Sequence, residues 1–342
     1  MNWSLRPTWS PIGLRVGAQR VTAVQLDQIG RIRAFASFGR REPDAPISAS
    51  EALRIRSVLD RQGFRGTQVV LGTPRRMIRS TTLELPPASS GAPIDQLADA
   101  ELARIHKLAP GSFAKGLWEL PASNRAKAAP LTMAVTCVHE QSDALCEVFE
   151  QADLDVLALD MSVLATLRAL PGAAEGSHAI LELEESRASI AVVHNGVLLL
   201  QRDLAEMTMR RLRAEVSKQL RLPSSTTSAL IQEYGLIPSP DAPESLADAV
   251  RESLEVFVEE IAHSASYASG RFADVSIGRV FFIGPAAGIP GLSEHLGESL
   301  ECAFAVPNLR DLTRSGCPFA ECAKPGEGIS ALGLALWKET AA

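Results

Sequence analysis

The sequence lacks a positive charge excess: 34 Lys and Arg against 40 Asp and Glu leave a formal charge of −6. That balance argues against a nucleic-acid partner. The densest basic cluster, Met209 to Arg213, falls on a helix-like stretch and reads as a solvated face. Also missing is the unbroken apolar run of roughly 18 residues that a membrane span needs. The first residues, MNWSLRPTWSP, hold no apolar signal-peptide core. Both point to a soluble cytoplasmic chain, with Trp3 and Trp9 on a tail that packs on the body. Cysteine is scarce: five, an odd number spread from Cys137 to Cys322, do not make a secreted disulfide framework and are expected as free thiols. Cys137, His139 and Cys146 lack the paired close spacing of a zinc site, and a strand end running into a helix explains them. Cys317 and Cys322 flank a Gly and a Pro in a loop and suggest no metal. His106, His139, His194, His263 and His295 stand without a Ser or Cys at a recognisable nucleophile turn. Ser224 to Ser228 reads as a polar loop without glycine, hence not a phosphate cradle. No catalytic residue and no metal ligand is expected.

What is present is a chain of 342 residues, 46% hydrophobic, enough to bury a sizeable core and best read as two lobes. Ile12 to Phe38 alternates as a β-hairpin followed by a third strand. Ser48 or Ser50 then caps a helix carrying Leu53, Ile55, Val58 and Leu59. Thr67 to Gly72 and Met77 to Leu85 read as strands. Pro86 to Pro93, rich in Pro, Ser, Ala and Gly, marks the crossing into an inserted unit. That unit reads as a helix (Ile94 to Leu108), an extended stretch near Leu117 to Leu120, a loop, a strand (Leu131 to Val138), a helix (Gln141 to Gln151) and a strand (Asp153 to Leu159). The expected division is therefore 1–85 first lobe, 86–160 small inserted α+β subdomain, and 161–342 the rest of the first lobe with the second.

The second half opens as the first does. His178 to Val193 is a β run, Asn195-Gly196 is a strong hairpin signal because both positions tolerate positive φ, and Val197 to Gln201 returns. Asp203 to Leu222 and Ser245 to Ser269 read as helices, the latter buried through Val250, Leu254, Phe257 and Ile261. Val280 to Ile283 is a buried strand ending in Gly284. Two halves with one plan imply an internal duplication. Setting Arg15 over Glu182 brings Gly17 over Glu184 and Arg20 over Arg187, in two α/β lobes around a cleft.

IGLRVGAQRVTAVQL, QLADAELARIHKLAPGSFAKGLWEL, HAILELEESRASIAVVHNGVLLLQRDL, RVFFIGPAAGIPGL and GISALGLALW, in this order and spacing, resemble PilM, the actin-like cytoplasmic family of type IV pilus assembly. More loosely the chain is similar to the cytoplasmic part of GspL-type secretion proteins. The resemblance implies an actin-like (ribonuclease H-like) two-lobed α/β fold with a nucleotide cleft and a small inserted subdomain. It implies a job at the inner face of the inner membrane: binding the N-terminal cytoplasmic peptide of a PilN-like membrane partner. It places the peptide groove between the first lobe and the insert, near Thr82, Leu83, Leu85, Leu97, Ala134 and Val135. For each of these, packing of the insert onto the lobe is the blander reading. Whether the chain forms a homodimer stays open.

The implied nucleotide site consists of Gly13, Arg15, Gly17 and Ala18 at the first phosphate turn, Glu182 and Glu184 at the second, and Gly284 and Gly288 at the adenosine turn. The family's turns read roughly acid, apolar, Gly. Here the first is Arg15-Val16-Gly17 and the second Glu182-Leu183-Glu184. Magnesium wants carboxylates beside such turns, and phosphate wants open backbone N–H groups. Glu184 and Glu185 would repel a triphosphate, and Pro285 removes a donor from the third turn. No cofactor is therefore expected, with ATP and magnesium in an active ATPase or kinase as the alternative. If the cleft closes, Arg15 and Glu182 are expected to pair across the magnesium position. The competing reading turns Arg15 to solvent and leaves Glu182 capping a neighbouring backbone group.

Overall fold

Period-two alternation builds both halves and already separates core from cleft. In β1 (Ile12–Val16), Ile12, Leu14 and Val16 enter one core, while Gly13 and Arg15 turn to the opposite face. A computed structural model describes residues 9–124, 130–204, 207–313 and 323–338. Trp3, Cys317 and Cys322 lie outside the described residues, as does much of the loop expected before Leu131.

The chain continues through β2 (Arg20–Leu26), β3 (Ile32–Gly39), α1 (Ala49–Arg61) and β4 (Gln68–Thr73). Then come β5 (Ile78–Glu84), α2 (Ile94–His106), β6 (Phe113–Glu119), β7 (Leu131–Val138), α3 (His139–Glu150), β8 (Asp155–Met161) and α4 (Ser162–Ala169). The second half runs β9 (Ser177–Leu183), β10 (Ala188–His194), β11 (Val197–Asp203), α5 (Met209–Leu220), α6 (Ser224–Glu233), α7 (Leu246–Arg271) and β12 (Arg279–Ile283). It ends with α8 (Leu292–Leu300), β13 (Ala303–Ala305), α9 (Leu309–Leu312) and α10 (Ile329–Ala335).

The lobe sheets have orders β3-β2-β1-β4-β8 and β11-β10-β9-β12-β13, so each strand of one has a counterpart in the other. The first three strands of each are antiparallel, and the last two join in parallel. The turns match too: the Gly17 N–H donates to the Arg20 carbonyl at 2.8 Å, and the Glu184 N–H to the Arg187 carbonyl at 2.7 Å. Arg15 and Glu182 are thus equivalent positions of one duplicated hairpin. α1 and α3 cover lobe one through Ala52, Ile55, Leu59, Leu145 and Phe149. α5, α6, α7 and α8 cover lobe two. The faces between the lobes share a core in which α4 and α10 join Val24 and Phe35 of one sheet to Ile180 and Phe281 of the other.

Close helix approach explains one glycine. A Cβ on Gly13 would stand 2.1 Å from the Ala331 carbonyl oxygen and 2.3 Å from the Ala335 nitrogen, so Gly13 lets α10 lie on β1.

Three sequence expectations need correction. The insert is bounded differently: β5 pairs with β7 in a separate sheet of order β5-β7-β6, whereas β8 pairs with β4 and α3 packs in the lobe-one core. Hydrogen bonding, not the Pro-rich stretch, decides where the subdomain begins. Ser224 to Ser228 is helical rather than a loop, because burial of Thr227 and Ile231 overrides weak propensity; the Thr227 hydroxyl is satisfied by the Pro223 carbonyl. The helix expected from Asp203 begins at Met209, where the Thr208 side chain accepts the Arg211 N–H.

The insert also reaches lobe two. Trp118 Nε1 donates to the Leu198 carbonyl at 2.8 Å. The end of the β6–β7 hairpin meets the end of α7, with Asn124 Nδ2 donating to the Ser269 and Phe272 carbonyls, each at 2.9 Å. Leu120 and Leu131 pack there against the cluster of Val192, Leu199 and Phe272. The insert is therefore a strap spanning both lobes. No helix among the described residues is long and apolar enough to cross a membrane.

Candidate functional site

Strand alternation carries Arg15 out of lobe one, and the equivalent position of lobe two presents Glu182 to meet it. Arg15 Nη2 lies 2.8 Å from Glu182 Oε1, and Nη1 lies 2.9 Å from Glu184 Oε1. The expected pair is present, and the guanidinium fork takes a second carboxylate, one expected from its sequence position only to repel phosphate. Relative side-chain exposure is 16% for Arg15, 20% for Glu182 and 12% for Glu184, so water screens the bridge weakly. One cation serves two acids. Burial pushes the Glu182 carboxyl up to about 7 against the pull of Arg15, with Glu184 adding to the rise. Burial disfavours the Arg15 charge, but Glu182 and Glu184 outweigh it and hold that group above its ordinary value.

The bridge divides the cleft into chambers of about 420 and 330 Å³ that share Arg15, Glu182, Glu184, Ile283 and Ser330. Gly17 and Ala18 line the larger chamber and Gly284 the smaller. Gly13 lies under α10, and Gly288 faces Pro325, where a Cβ would stand 3.6 Å from the ring. Neither glycine is among the cleft-lining residues.

At the rim Asp44 clips the two turns. Its N–H donates to the Ala18 carbonyl, its Oδ1 accepts from the Ser186 hydroxyl, and its Oδ2 lies 2.8 Å from Arg210 Nη2. Glu185 pairs with Arg213. The basic cluster expected as a solvated face thus supplies two cross-cleft or cleft-edge partners. No sequence signal beyond a Pro-rich turn marked Asp44.

Do these groups fit magnesium and a triphosphate? The approach to the first turn is taken: a Cβ at Gly17 would stand 3.2 Å from Glu184 Oε1 and 3.3 Å from Arg15 Nη1. The third turn is closed as well, since the Gly284 N–H donates to the Gly326 carbonyl at 2.9 Å. As placed, the side chains do not fit that ligand at the turns.

The expected peptide groove is not one surface. Leu83, Leu85 and Ala134 are buried with Ala98, Leu102 and Phe113 in the insert's own core. Val135, one residue on, faces the opposite side and packs towards the inter-lobe core, as strand alternation requires. Thr82 is half-buried, and Leu97 is exposed on α2.

Two duplicated sheets of this order, joined across a cleft and carrying an insert, define the actin-like fold. In particular the fold is PilM-like. The chain superposes on the structure of a PilM-PilN type IV pilus biogenesis complex with a TM-score of 0.76 and 17% identity, over 96% of this chain and 98% of that one. Ethanolamine utilization protein EutJ from Carboxydothermus hydrogenoformans matches with a TM-score of 0.60 and 15% identity, over 98% and 91%. The activator of 2-hydroxyisocaproyl-CoA dehydratase from Clostridium difficile, with bound ADPNP, gives 0.51 and 13%, over 96% and 93%. At such identities the likeness carries fold. No protein-family model and no curated protein matches the sequence.

Proposed function

We propose that the chain is the cytoplasmic, PilM-type adaptor of a type IV pilus or type II secretion-like platform. It sits at the inner face of the inner membrane, binds the N-terminal cytoplasmic peptide of a PilN-like membrane protein, and does so without hydrolysing ATP. The observation that carries this reading is the full-length likeness to the PilM-PilN complex, insert included. The Arg15 fork supports an adaptor whose lobes are held by its own side chains rather than by nucleotide. The peptide contact lies on the accessible part of the insert, with Leu97 of α2 as an apolar anchor.

The alternative is an actin-like ATPase or kinase taking ATP with magnesium in the cleft. It is favoured by the ADPNP bound to the fold-related dehydratase activator.

The test is an anisotropy titration of the full chain with a labelled peptide from the cytoplasmic N-terminus of the PilN-like protein. Saturable binding that Leu97→Asp weakens about tenfold is expected, the loss of one apolar anchor at about 1.4 kcal/mol. Absence of saturable binding would overturn the adaptor reading. Steady release of inorganic phosphate from magnesium ATP would transfer the chain to the alternative.

A further inference from the structure

The larger chamber holds cations that the Arg15 fork does not use. Its lobe-two wall is the cleft face of β9, β10 and β11. There Glu182, Ser189 and Asp203 form one cross-strand row, and Ile180, Ala191 and Gln201 the next. Two guanidiniums converge on Asp203. Arg75 comes from the lobe-one turn after β4 and Arg187 from the second hairpin turn, and each lies 3.8 Å from the same Oδ1. That distance is beyond hydrogen-bond length, so Asp203 holds the two cations loosely, with Glu182 adding a longer-range pull on Arg187. Arg76 lines the same chamber and adds a further positive charge.

Two buried polar atoms of residues that line the chamber, one from each lobe, are also unmade. Arg75 is oriented by Nη1 donating to the Ile78 carbonyl at 2.9 Å, yet its Nε is buried without a hydrogen-bond partner. Gln201 Oε1 is buried without one too. Buried donors and acceptors left unmade are costly and are retained where something satisfies them. Glu182 and Glu184, the acids that would repel an anion here, are engaged by Arg15.

The geometry points to a binding site for a small oxyanion of the phosphate class, held between Arg75 of lobe one and Arg187 of lobe two. Planar guanidinium forks match the oxygens of phosphate, and two such forks from opposing walls give more donors than Asp203 can use. Ser162, Ser189 and Thr73 line the same chamber. The Gln201 amide can turn to donate its N–H groups. Asp203 is then the resident competitor that the ligand displaces. The site uses neither the Gly17 turn nor the Gly284 turn, and it does not rest on the peptide-binding reading.

Isothermal titration of the full chain with inorganic phosphate, against chloride at matched ionic strength, tests it. Saturable phosphate binding is expected, about tenfold weaker in Arg75→Gln and in Arg187→Gln, each of which loses one charge-assisted fork. Asp203→Asn is expected to tighten binding several-fold, a change that a purely structural acid would not produce. Phosphate heats no different from chloride would overturn the proposal, as would unchanged affinity in both arginine variants or weaker binding in Asp203→Asn. Circular dichroism on each variant separates lost binding from lost folding. The Asp203→Asn arm stands even where an arginine variant fails to fold.

Discussion

The two hairpin turns that face each other across the cleft share a backbone and oppose each other in chemistry. Both close with the same N–H to carbonyl bond, at Gly17 and at Glu184, and both sit at the same place in sheets of the same order. Their cleft-facing side chains differ: Arg15 on one, Glu182 and Glu184 on the other. The difference teaches what a duplicated element must keep. Register and core contacts fix the backbone, because a slip of one residue would turn Ile12 and Leu14 out of the core. The cleft-facing positions answer only to each other, so a cation on one turn can be matched by acids on its copy.

The largest effect should come from removing the one group that joins them. Arg15→Ala leaves Glu182 and Glu184 facing each other mostly buried, and is expected to cost about 3 kcal/mol in urea unfolding. The exchanged pair Arg15→Glu with Glu182→Arg should recover most of that loss, although Glu184 must then meet a new neighbour. A cost below about 1 kcal/mol for Arg15→Ala would mean that the turns are opposed but not coupled.

Next is the pH dependence of the same contact. Glu182 has an ordinary value of 4.5 and stands at about 7 in the folded protein. The folded chain therefore binds this proton more tightly than the unfolded chain does. Stability should fall as pH rises from 4.5 to about 7 and level off above that, since the native state holds the extra proton only within that window. Glu182→Gln should flatten this slope in urea midpoints taken across the window. A slope that survives the substitution would assign the titration to another group.

Much of this was legible in the sequence, for stated reasons. The hairpins, the Asn195-Gly196 turn and the long helix α7 follow from period and turn chemistry. The equivalence of Arg15 and Glu182 followed from the repeat, and their opposite charges pointed to the pair. The second arm of the fork did not, because alternation puts Glu184 on the same face as Glu182 but does not say which cation of the other lobe reaches it. The strap through Trp118 and Asn124 was equally hidden, since contacts 80 and 148 residues apart leave no local pattern. The positions expected for the peptide groove divide between two faces: Ala134 and Val135 are adjacent in sequence and so face opposite sides of β7.

The smallest effect is expected at the rim, where Asp44 joins the tips of both turns. Asp44 has φ 63°, a left-handed conformation that Asn accepts with little strain, so Asp44→Asn removes charge without disturbing the backbone. Hydrogen bonding from Ser186, with Arg210 adding to it, holds the Asp44 carboxyl below its ordinary value against some burial. Its stabilisation is therefore present above 3.8 and lost as pH falls further, the opposite direction to Glu182. The side chains of Asp44 and Arg210 are 41% and 59% exposed, so solvent screens the pair, and about 0.5 kcal/mol is expected, less at high salt. The two variants can then be ranked in one urea series. If Asp44→Asn costs as much as Arg15→Ala, the lobes are held at the rim rather than at the floor, and the opposition of Arg15 to Glu182 follows from closure instead of causing it.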